Sequence, residues 1–424
     1  LDGGTGVDAM SGGNGNDIYV VDNVADSVSE TSAAGGVDRI ESSVSFTLGA
    51  NLENLVLTGN ADSNGTGNSQ NNQLTGNSGN NVLDGKAGLD TFAGGSGNDT
   101  YLLDMEGELA NVTENAGQGT DTLTVLYANP SAAKSIALTG SLANIENVLL
   151  SGAGLFNVLG NGLANVLTGN ALANRLDGGA GIDTLVGGAG GDTYVVDQVG
   201  DVLVETSSLA SEIDTVECWV SWGLGANLEN LTLLGSGNLA ATGNALNNTL
   251  TGNAGANCLD GGLGADILLG GAGDDRYVVD NLGDKVYETT TSTSAYDAGG
   301  IDTVESSINW TLGNFVENLT LTGSGNLSGT GNALANTLRG NAGINVLDGK
   351  AGVDVLDGGE GSDIYLVGLA SDHAAAEIAD SGDVGSDEVR FAASISGTLT
   401  LFAGDTGIER VVIGSGLGEV AVSS

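Results

Sequence analysis

Single large apolar residues recur every nine positions along much of this chain, each followed by a glycine-rich polar stretch. The pattern is clearest over residues 178–195, where GGAGIDTLV is followed by GGAGGDTYV and the apolar positions are Leu185 and Tyr194. Successive side chains of a β-strand point to opposite faces, so a single large apolar residue between two smaller or polar neighbours predicts a short strand. The apolar side chain of that strand should face inward and its neighbours outward. The glycine-rich half predicts a tight turn, because glycine adopts positive φ without steric cost. Two such nonapeptides therefore predict one coil of a flattened solenoid.

The doubled nonapeptide occurs in the stretches 3–20, 85–102, 178–195, 261–278 and 349–366, with Lys86 and Lys350 in place of a second glycine. Its final Gly-Gly units are 82 to 93 residues apart and begin at Gly12, Gly94, Gly187, Gly270 and Gly358. Repetition at such a period is the signature of a repeat architecture. We expect stacked modules over residues 1–58 (a partial repeat), 59–151, 152–234, 235–322 and 323–424, the last degenerating after about Asp372.

Three further stretches, 42–59, 218–235 and 306–323, alternate apolar and polar residues as half-buried strands do. An aromatic residue aligns in all three, and we expect it to fill a wider coil rather than form a cofactor site: Phe46, Trp222 and Trp310. A tyrosine holds position eight of one nonapeptide in each repeat, so it should face the core and need a partner for its hydroxyl. These tyrosines are Tyr19, Tyr101, Tyr194, Tyr277 and Tyr365. Of the two cysteines, Cys218 should face inward and Cys258 outward, which favours two free thiols over a disulfide.

The turns carry an aspartate at position six of the nonapeptide, two residues before the apolar position. Because every second nonapeptide returns to the same edge, aspartates eighteen residues apart should stand about one strand spacing, roughly 4.8 Å, from each other. Carboxylates at that distance repel unless a cation lies between them. Carboxylates and turn carbonyls form the oxygen-rich shell that Ca²⁺ prefers. The pattern therefore predicts rows of calcium sites.

The same frame continues beyond the glycines, where an acid again holds position six and, after a loop of variable length, a further aspartate precedes a strand. We expect Asp183 to pair with Asp201 and Asp192 with Asp214; the longest loop, 289–299, makes the pairing of Asp275 with Asp302 the least regular. The third acid of each repeat is Asp26, Glu108, Asp201, Asp284 or Asp372. The alternative for these acids is that they only solvate a loop. The predicted metal ligands are Asp8, Asp17, Asp26, Asp38, Asp90, Asp99, Glu108, Asp121, Asp183, Asp192, Asp201, Asp214, Asp266, Asp275, Asp284, Asp302, Asp354, Asp363, Asp372 and Asp387.

Upstream of each doubled nonapeptide, asparagine takes position six, as at Asn72, Asn81, Asn165, Asn174 and Asn336. Asparagine is neutral, and stacked asparagine side chains can hydrogen-bond as a ladder without a cation. We expect these turns to be calcium-poor spacers.

The motif GGAGIDTLVGGAGGDTYVVD resembles the RTX (repeats-in-toxin, hemolysin-type calcium-binding) nonapeptide. The resemblance implies an all-β fold, a right-handed parallel β-roll or β-helix solenoid of stacked nonapeptide turns. It also implies multiple Ca²⁺ ions, each shared by turns at i and i+18 through position-six aspartates and backbone carbonyls. Proteins of this family are exported unfolded by type I secretion and fold in extracellular calcium. We therefore expect a secreted, extracellular or cell-surface bacterial protein.

Acids greatly outnumber bases, with 54 Asp and Glu against 10 Lys and Arg and a formal net charge of −44. Such a surface repels nucleic acid and anionic membranes, so neither is expected as a partner. No apolar run reaches membrane-spanning length, so no membrane insertion is expected. Because the chain opens inside a repeat at Leu1 and shows no signal peptide, we expect it to be part of a longer protein.

Signals of catalysis are weak in this sequence. The one histidine, His373, lies in the degenerate repeat and is expected at the surface, so no Ser/His/Asp or Cys/His set can be built from it. We therefore expect a non-enzymatic structural protein, such as an adhesin stalk, surface layer or self-assembling filament. The alternative is the calcium-binding module of a secreted protease, lipase or alginate epimerase. Ice binding through the recurring Thr-Gly-Asn is a third hypothesis, but Asp84, Asp177 and Arg339 interrupt that row. Because open solenoid ends carry unpaired strand edges, self-association end to end or laterally is also expected.

Overall fold

The structure is a computed structural model that describes residues 1–32, 35–128, 133–289, 296–369, 371, 373–382, 384–391, 397–414 and 420–423. Within these residues the chain forms short β-strands joined by turns, and two 3-10 helices at Glu106–Asn111 and Gly140–Leu142. The chain divides into two compact units, Leu1–Asp214 and Thr215–Ser424. Over the described ranges, no helix combines the length and the apolar character needed to cross a bilayer.

In the first unit, strands close in sequence alternate between sheets, and the pairs are parallel. One small sheet holds β1 (Ala9–Met10) and β3 (Ser27–Val28). A second holds β2 (Ile18–Val21), β4 (Arg39–Ser42), β6 (Asn54–Leu57), β8 (Gln73–Thr75), β10 (Thr91–Ala93) and β12 (Val112–Thr113). A third holds β5 (Phe46–Thr47), β7 (Gly65–Thr66), β9 (Val82–Asp84), β11 (Thr100–Leu103), β13 (Thr122–Val125), β15 (Asn147–Leu150), β17 (Val166–Thr168), β19 (Thr184–Val186) and β21 (Val202–Val204). The fourth series is β14 (Lys134–Ala137), β16 (Phe156–Leu159), β18 (Arg175–Asp177) and β20 (Thr193–Val196).

The second unit repeats this arrangement. One series is β22 (Thr215–Cys218), β24 (Asn230–Leu233), β26 (Thr249–Thr251), β28 (Ile267–Leu269) and β30 (Lys285–Tyr287). The next is β23 (Trp222–Gly223), β25 (Ala240–Thr242), β27 (Cys258–Asp260), β29 (Arg276–Val279), β31 (Thr303–Ser306), β33 (Asn318–Leu321), β35 (Thr337–Arg339) and β37 (Val355–Asp357). A third is β32 (Trp310–Thr311), β34 (Ser328–Thr330), β36 (Val346–Asp348), β38 (Ile364–Val367), β39 (Glu388–Phe391) and β41 (Arg410–Ile413), and the last pair is β40 (Gly397–Thr400) with β42 (Val420–Ser423).

Strand register shows how the nonapeptides build coils. Where two nonapeptides follow each other without insertion, paired residues are eighteen apart, as for Leu185 with Leu167. Where a loop intervenes the separation grows, and Tyr277 pairs with Val304 across the longest one. Each unit is therefore a parallel β-solenoid with two strands to a coil, which confirms the predicted fold class.

The core is a row of position-eight side chains, and the five predicted tyrosines are all completely enclosed in it. Each enclosed leucine contributes about 2 kcal/mol through removal of apolar surface from water. Cys218 is buried, Cys258 is half-buried and both thiols are free, as predicted. Burial raises the pKa of Cys218 to about 12.

The prediction that one aromatic ring fills each wider coil is wrong. Phe46, Trp222 and Trp310 are only half-buried. The strands that carry these rings are two residues long. The enclosed apolar positions of these coils are taken instead by aliphatic side chains from the following turn, including Leu52, Leu228 and Val316.

Candidate metal centres

Each aspartate turn is built around one carboxylate at position six, as Asp183 illustrates. Asp183 lies immediately before β19, and its Oδ1 accepts the N–H of Asn165 from the preceding coil at 2.7 Å. Its Oδ2 is buried and has no hydrogen-bond partner among the described residues. A Cβ on Gly178, the first residue of the nonapeptide, would clash with this carboxylate. Glycine at position one is therefore required to make room for the acid.

Four pairs of position-six acids, eighteen residues apart, meet as the sequence frame predicts, and we call them the capped pairs. In three of them the earlier aspartate donates its N–H to Oδ1 of the later one, at 3.0 to 3.1 Å. In the fourth, the side chains of Asp90 and Glu108 interact directly. The capped pairs are Asp8–Asp26, Asp90–Glu108, Asp183–Asp201 and Asp266–Asp284. The fifth predicted pair, Asp354 with Asp372, cannot be placed because Asp372 lies outside the described residues.

The later acid of a capped pair also closes its own turn. Oδ2 of Asp284 accepts the N–H groups of Asp280 and Asn281 at 3.2 and 3.0 Å. Asp26 and Glu108 accept two N–H groups of their own turns in the same way. The alternative that these acids only solvate a loop is wrong, because each is buried and contacts the preceding coil. Their turn-capping role, however, was not predicted.

Five further pairs span the variable loops, and we call them the loop pairs. In each, the N–H of the earlier aspartate donates to Oδ1 of the later one, at 2.6 to 2.8 Å. The pairing is formed even across the longest loop, between Asp275 and Asp302. The loop pairs are Asp17–Asp38, Asp99–Asp121, Asp192–Asp214, Asp275–Asp302 and Asp363–Asp387.

The sequence analysis missed a glutamate that extends most loop pairs by one coil. The N–H of Asp121 donates to Glu146 at 2.7 Å, and that of Asp302 donates to Glu317 at 3.0 Å. The signal was present, because a glutamate recurs directly before a strand in each repeat. These glutamates are Glu53, Glu146, Glu229, Glu317 and Glu409, and the aspartate N–H bonds described above are made to Glu53, Glu146, Glu317 and Glu409.

A second missed acid is held by the core tyrosine of each repeat, which gives the buried hydroxyl its expected partner. Tyr194 donates its hydroxyl hydrogen to Glu205 at 2.6 Å and accepts the N–H of Gly187 at 3.1 Å. The ring therefore reaches from the core to the turn and fixes both groups. The equivalent pairs are Tyr19–Glu30, Tyr101–Glu114, Tyr277–Glu288 and Tyr365–Asp380.

The tyrosine-held acid meets the loop pair in three repeats, and we call these groups the triads. One carboxylate oxygen from each of the three acids lies within 4.8 Å of the other two. The triads are Asp99–Glu114–Asp121, Asp192–Glu205–Asp214 and Asp275–Glu288–Asp302. Three carboxylates at such separations require protons or a cation to offset their repulsion.

Many acids of the capped pairs, loop pairs and triads have a carboxylate oxygen without a hydrogen-bond donor, a raised pKa, or both. In the described part of the chain, the buried Oδ2 atoms without a hydrogen-bond partner include those of Asp8, Asp17, Asp90, Asp99, Asp183, Asp192, Asp266, Asp275, Asp302, Asp363 and Asp380. Burial raises the pKa of Asp183 to about 6 and that of Asp192 to about 7, although each accepts an N–H from the preceding coil. Burial likewise raises the pKa of Glu288 to about 10. The charged form of these groups is therefore costly unless a cation compensates it.

The asparagine turns are satisfied without any ion. Oδ1 of Asn72 accepts the N–H of Asn68 at 2.7 Å, and its amide donates to the carbonyl of Leu52 at 3.0 Å. Asn68 donates to that same carbonyl and to Gly49. An aspartate turn that has glycine at the position of Asn68 and aspartate at the position of Asn72 has no side-chain donor for these carbonyls. The prediction of a ladder of stacked asparagines is wrong, because the side-chain amides of Asn72 and Asn165 donate to backbone carbonyls of the preceding coil.

His373 contradicts the expected surface position. Its ring is enclosed, with Nδ1 at 2.8 Å from Glu377 and Nε2 at 3.1 Å from Asp405. Burial lowers the pKa of His373, but the two carboxylates outweigh burial and leave it raised. Both ring nitrogens are occupied, and the contact with Asp405 ties His373 to a residue 32 positions further along the chain.

Buried carboxylate oxygens without donors, in turns lined by carbonyls, fit a hard divalent cation of the size of Ca²⁺. A family model described as the RTX calcium-binding nonapeptide repeat matches residues 1–28, 66–101, 159–203, 242–277 and 330–365. This chain carries RTX calcium-binding nonapeptide repeats. The matched stretches contain the first acid of every capped pair and of every loop pair, so the RTX repeats supply the calcium-binding turns. No curated protein matches the chain.

Proposed function

We propose that this RTX-repeat chain is a calcium-folded structural protein of the bacterial surface or extracellular matrix. An adhesin stalk, a surface layer or a self-assembling filament would each use it in this way. The observation that carries the proposal is the regularity of the acid turns, which recur with the same partners from Asp8 to Asp387. A protein whose repeated unit is its cation site gains rigidity along its whole length from extracellular calcium.

The proposed role assigns the regular acids to structure rather than catalysis. Position-six acids, tyrosine-held acids and the glutamates before strands all accept hydrogen bonds from neighbouring coils or turns. An acid so engaged has its orientation fixed by the fold, which suits a coordinating or bracing role. Export by type I secretion is part of the proposal, because low intracellular calcium would keep the chain unfolded until it leaves the cell.

The location is tested with antibodies raised against this chain and applied to intact cells of the source organism. We expect surface labelling that resists protease in calcium and becomes protease-sensitive after chelation. A matched intracellular protein serves as the control for lysis. Antigen found only inside intact cells would overturn the proposal. Antigen released on the same polypeptide as a hydrolase activity would favour the secreted-enzyme alternative.

Self-association end to end or laterally stays a prediction. Sedimentation velocity of the calcium-folded chain over a range of concentrations tests it, and a single concentration-independent monomer would contradict it.

A further inference from the structure

We infer that the tyrosine-held glutamates Glu114, Glu205 and Glu288 are calcium ligands, each completing a three-carboxylate site with its loop pair. The inference rests on the proposed calcium-binding function and names ligands that the nonapeptide pattern does not contain. It also separates the calcium sites into two classes, the triads and the capped pairs.

The triad of Asp275, Glu288 and Asp302 carries the inference furthest. All three side chains are at least 98 % buried. Oδ2 of Asp275, Oε2 of Glu288 and Oδ2 of Asp302 have no hydrogen-bond partner in the described structure. One oxygen of each acid lies within 4.8 Å of the others. Glu288 and Asp302 also lie close enough to share a proton, so this buried group needs either protons or a hard cation to offset the charge of its three carboxylates.

The tyrosine hydroxyl orients the glutamate for this role. Tyr277 donates to Oε1 of Glu288, and Oε2 receives no N–H or hydroxyl donor from the described residues. In the first triad, Tyr101 donates to Glu114 while accepting the N–H of Gly94 at 2.9 Å, and the other oxygen of Glu114 accepts the N–H of Asn115 at 3.1 Å. A ligand already fixed by a buried ring loses little side-chain entropy when a metal binds. The tyrosines are therefore positioning residues.

The capped pairs lack this arrangement. Each capped pair supplies two acids, and among the described residues no third acid completes a group of the triad kind with them. Calcium affinity rises with the number of carboxylates and with the rigidity of the site. The triads should consequently fill at lower calcium concentration than the capped pairs.

The test compares three single substitutions in the full chain. Glu288→Gln removes the charge but keeps an oxygen that can accept from Tyr277. Tyr277→Phe removes the hydroxyl and keeps the carboxylate. Glu305→Gln is the matched control, because the partly exposed side chain of Glu305 pairs with Arg276 away from the triad. Bound calcium is counted by equilibrium dialysis with radioactive calcium and by native mass spectrometry, across free calcium up to about 10⁻³ M.

Glu288→Gln should bind one ion fewer than the unsubstituted chain in the low-calcium phase, with that site weakened at least about tenfold. Tyr277→Phe should keep the ion, with a smaller loss of affinity, and Glu305→Gln should match the unsubstituted chain. Glu288→Gln with an unchanged ion count and affinity would overturn the inference. So would an equal loss in Tyr277→Phe and Glu288→Gln, since the glutamate would then only anchor the tyrosine.

Folding failure does not obscure the result, because the same substitution can be made in another triad, as Glu114→Gln. If neither variant folds in saturating calcium while both aspartate neighbours are intact, the glutamate is a folding element and the inference is wrong. Failure of the proposed function has a different signature, namely an unsubstituted chain that binds no calcium.

Discussion

Removal of divalent cations at neutral pH should unfold this chain, and acidification without calcium should refold it. The reason is that folding buries carboxyls in their costly charged form. Burial raises the pKa of Asp183 and Asp266 to about 6, and that of Asp192 and Asp275 to about 7. These carboxyls prefer to be protonated in the folded chain at a pH where they are ionised in the unfolded one.

The sign of the pH dependence follows from proton binding. Between the ordinary aspartate value of 3.8 and the raised values, the folded chain binds more protons than the unfolded chain, so the free energy of unfolding falls as pH rises. This contribution is complete below the unfolded pKa and is lost as pH passes through the folded pKa, at about 6 to 7.

The magnitude is large compared with the stability of a domain. Each pKa unit by which folding raises a carboxyl corresponds to about 1.4 kcal/mol. Burial raises the pKa of seven aspartates of the loop pairs and capped pairs to about 6 or 7. They are Asp99, Asp121, Asp183, Asp192, Asp266, Asp275 and Asp363. If each of these pKa values is counted as raised by only one unit, ionisation of all seven groups lowers the free energy of unfolding by on the order of 10 kcal/mol. That loss is comparable to the usual total stability of a domain, about 5–15 kcal/mol.

The assay is far-UV circular dichroism of chain stripped on a chelating resin and held in calcium-free buffer, because soluble chelators weaken at low pH. We expect an unfolded spectrum at about pH 8 and a gain of β signal towards about pH 5. With calcium at about 10⁻³ M the chain should be folded at neutral pH and lose stability on acidification, because protons displace the ion.

Two results would refute this reasoning. A calcium-free chain that keeps its β spectrum at neutral pH would show that the buried carboxylates need no cation. A calcium-free chain that loses structure on acidification would show that the carboxyls are stabilised when ionised. Light scattering in parallel separates refolding from aggregation.

Three further predictions concern single positions. Asp201→Asn should weaken the one calcium site shared with Asp183 and leave the Asp192 site bound, as counted by equilibrium dialysis; loss of both sites would contradict the pairing. Asn72→Asp places a second carboxylate beside Asp90 and removes two amide donors, so it should cost about 1–3 kcal/mol in urea unfolding, and calcium should recover part of the loss. The stabilisation by His373 should be complete below about pH 6.5 and lost as pH rises through its raised pKa. Hydrogen exchange of residues 397–414, corrected for intrinsic rates, should then increase at alkaline pH, and an unaltered rate in His373→Gln would contradict it.

The pairing of acids could be predicted because the strands impose it. Asp183 meets Asp201 since each coil in that stretch has eighteen residues. Asp275 meets Asp302 for a related reason, because the chain resumes the same register after its loop, whatever the loop length. Counting nonapeptides along the sequence therefore predicts both pairs of acids, once the loop is recognised as an insertion.

The tyrosine-held acids could not be predicted from that frame. Glu205 and Glu288 follow their tyrosines by 11 residues, whereas Glu114 follows by 13 and Asp380 by 15. Their positions depend on how each loop returns to the turn, which a nonapeptide count does not describe. His373 was misplaced for a similar reason, because its partner Asp405 lies 32 residues away in the chain.

The alternation of asparagine and aspartate turns links the predicted calcium sites to coils whose own turns are satisfied without an ion. Asn165 satisfies its own turn through its amide, yet its backbone N–H donates to Asp183, and Asn174 donates to Asp192 in the same way. An ion that holds Asp183 in place therefore also holds the acceptor for the asparagine coil before it. In a solenoid each coil is stabilised mainly by its neighbours, so this bond transmits the effect of the ion to the adjacent coil. The asparagine turns thus lower the density of negative charge without uncoupling their coils from calcium, and the cooperative unit should be the whole repeat rather than the single nonapeptide.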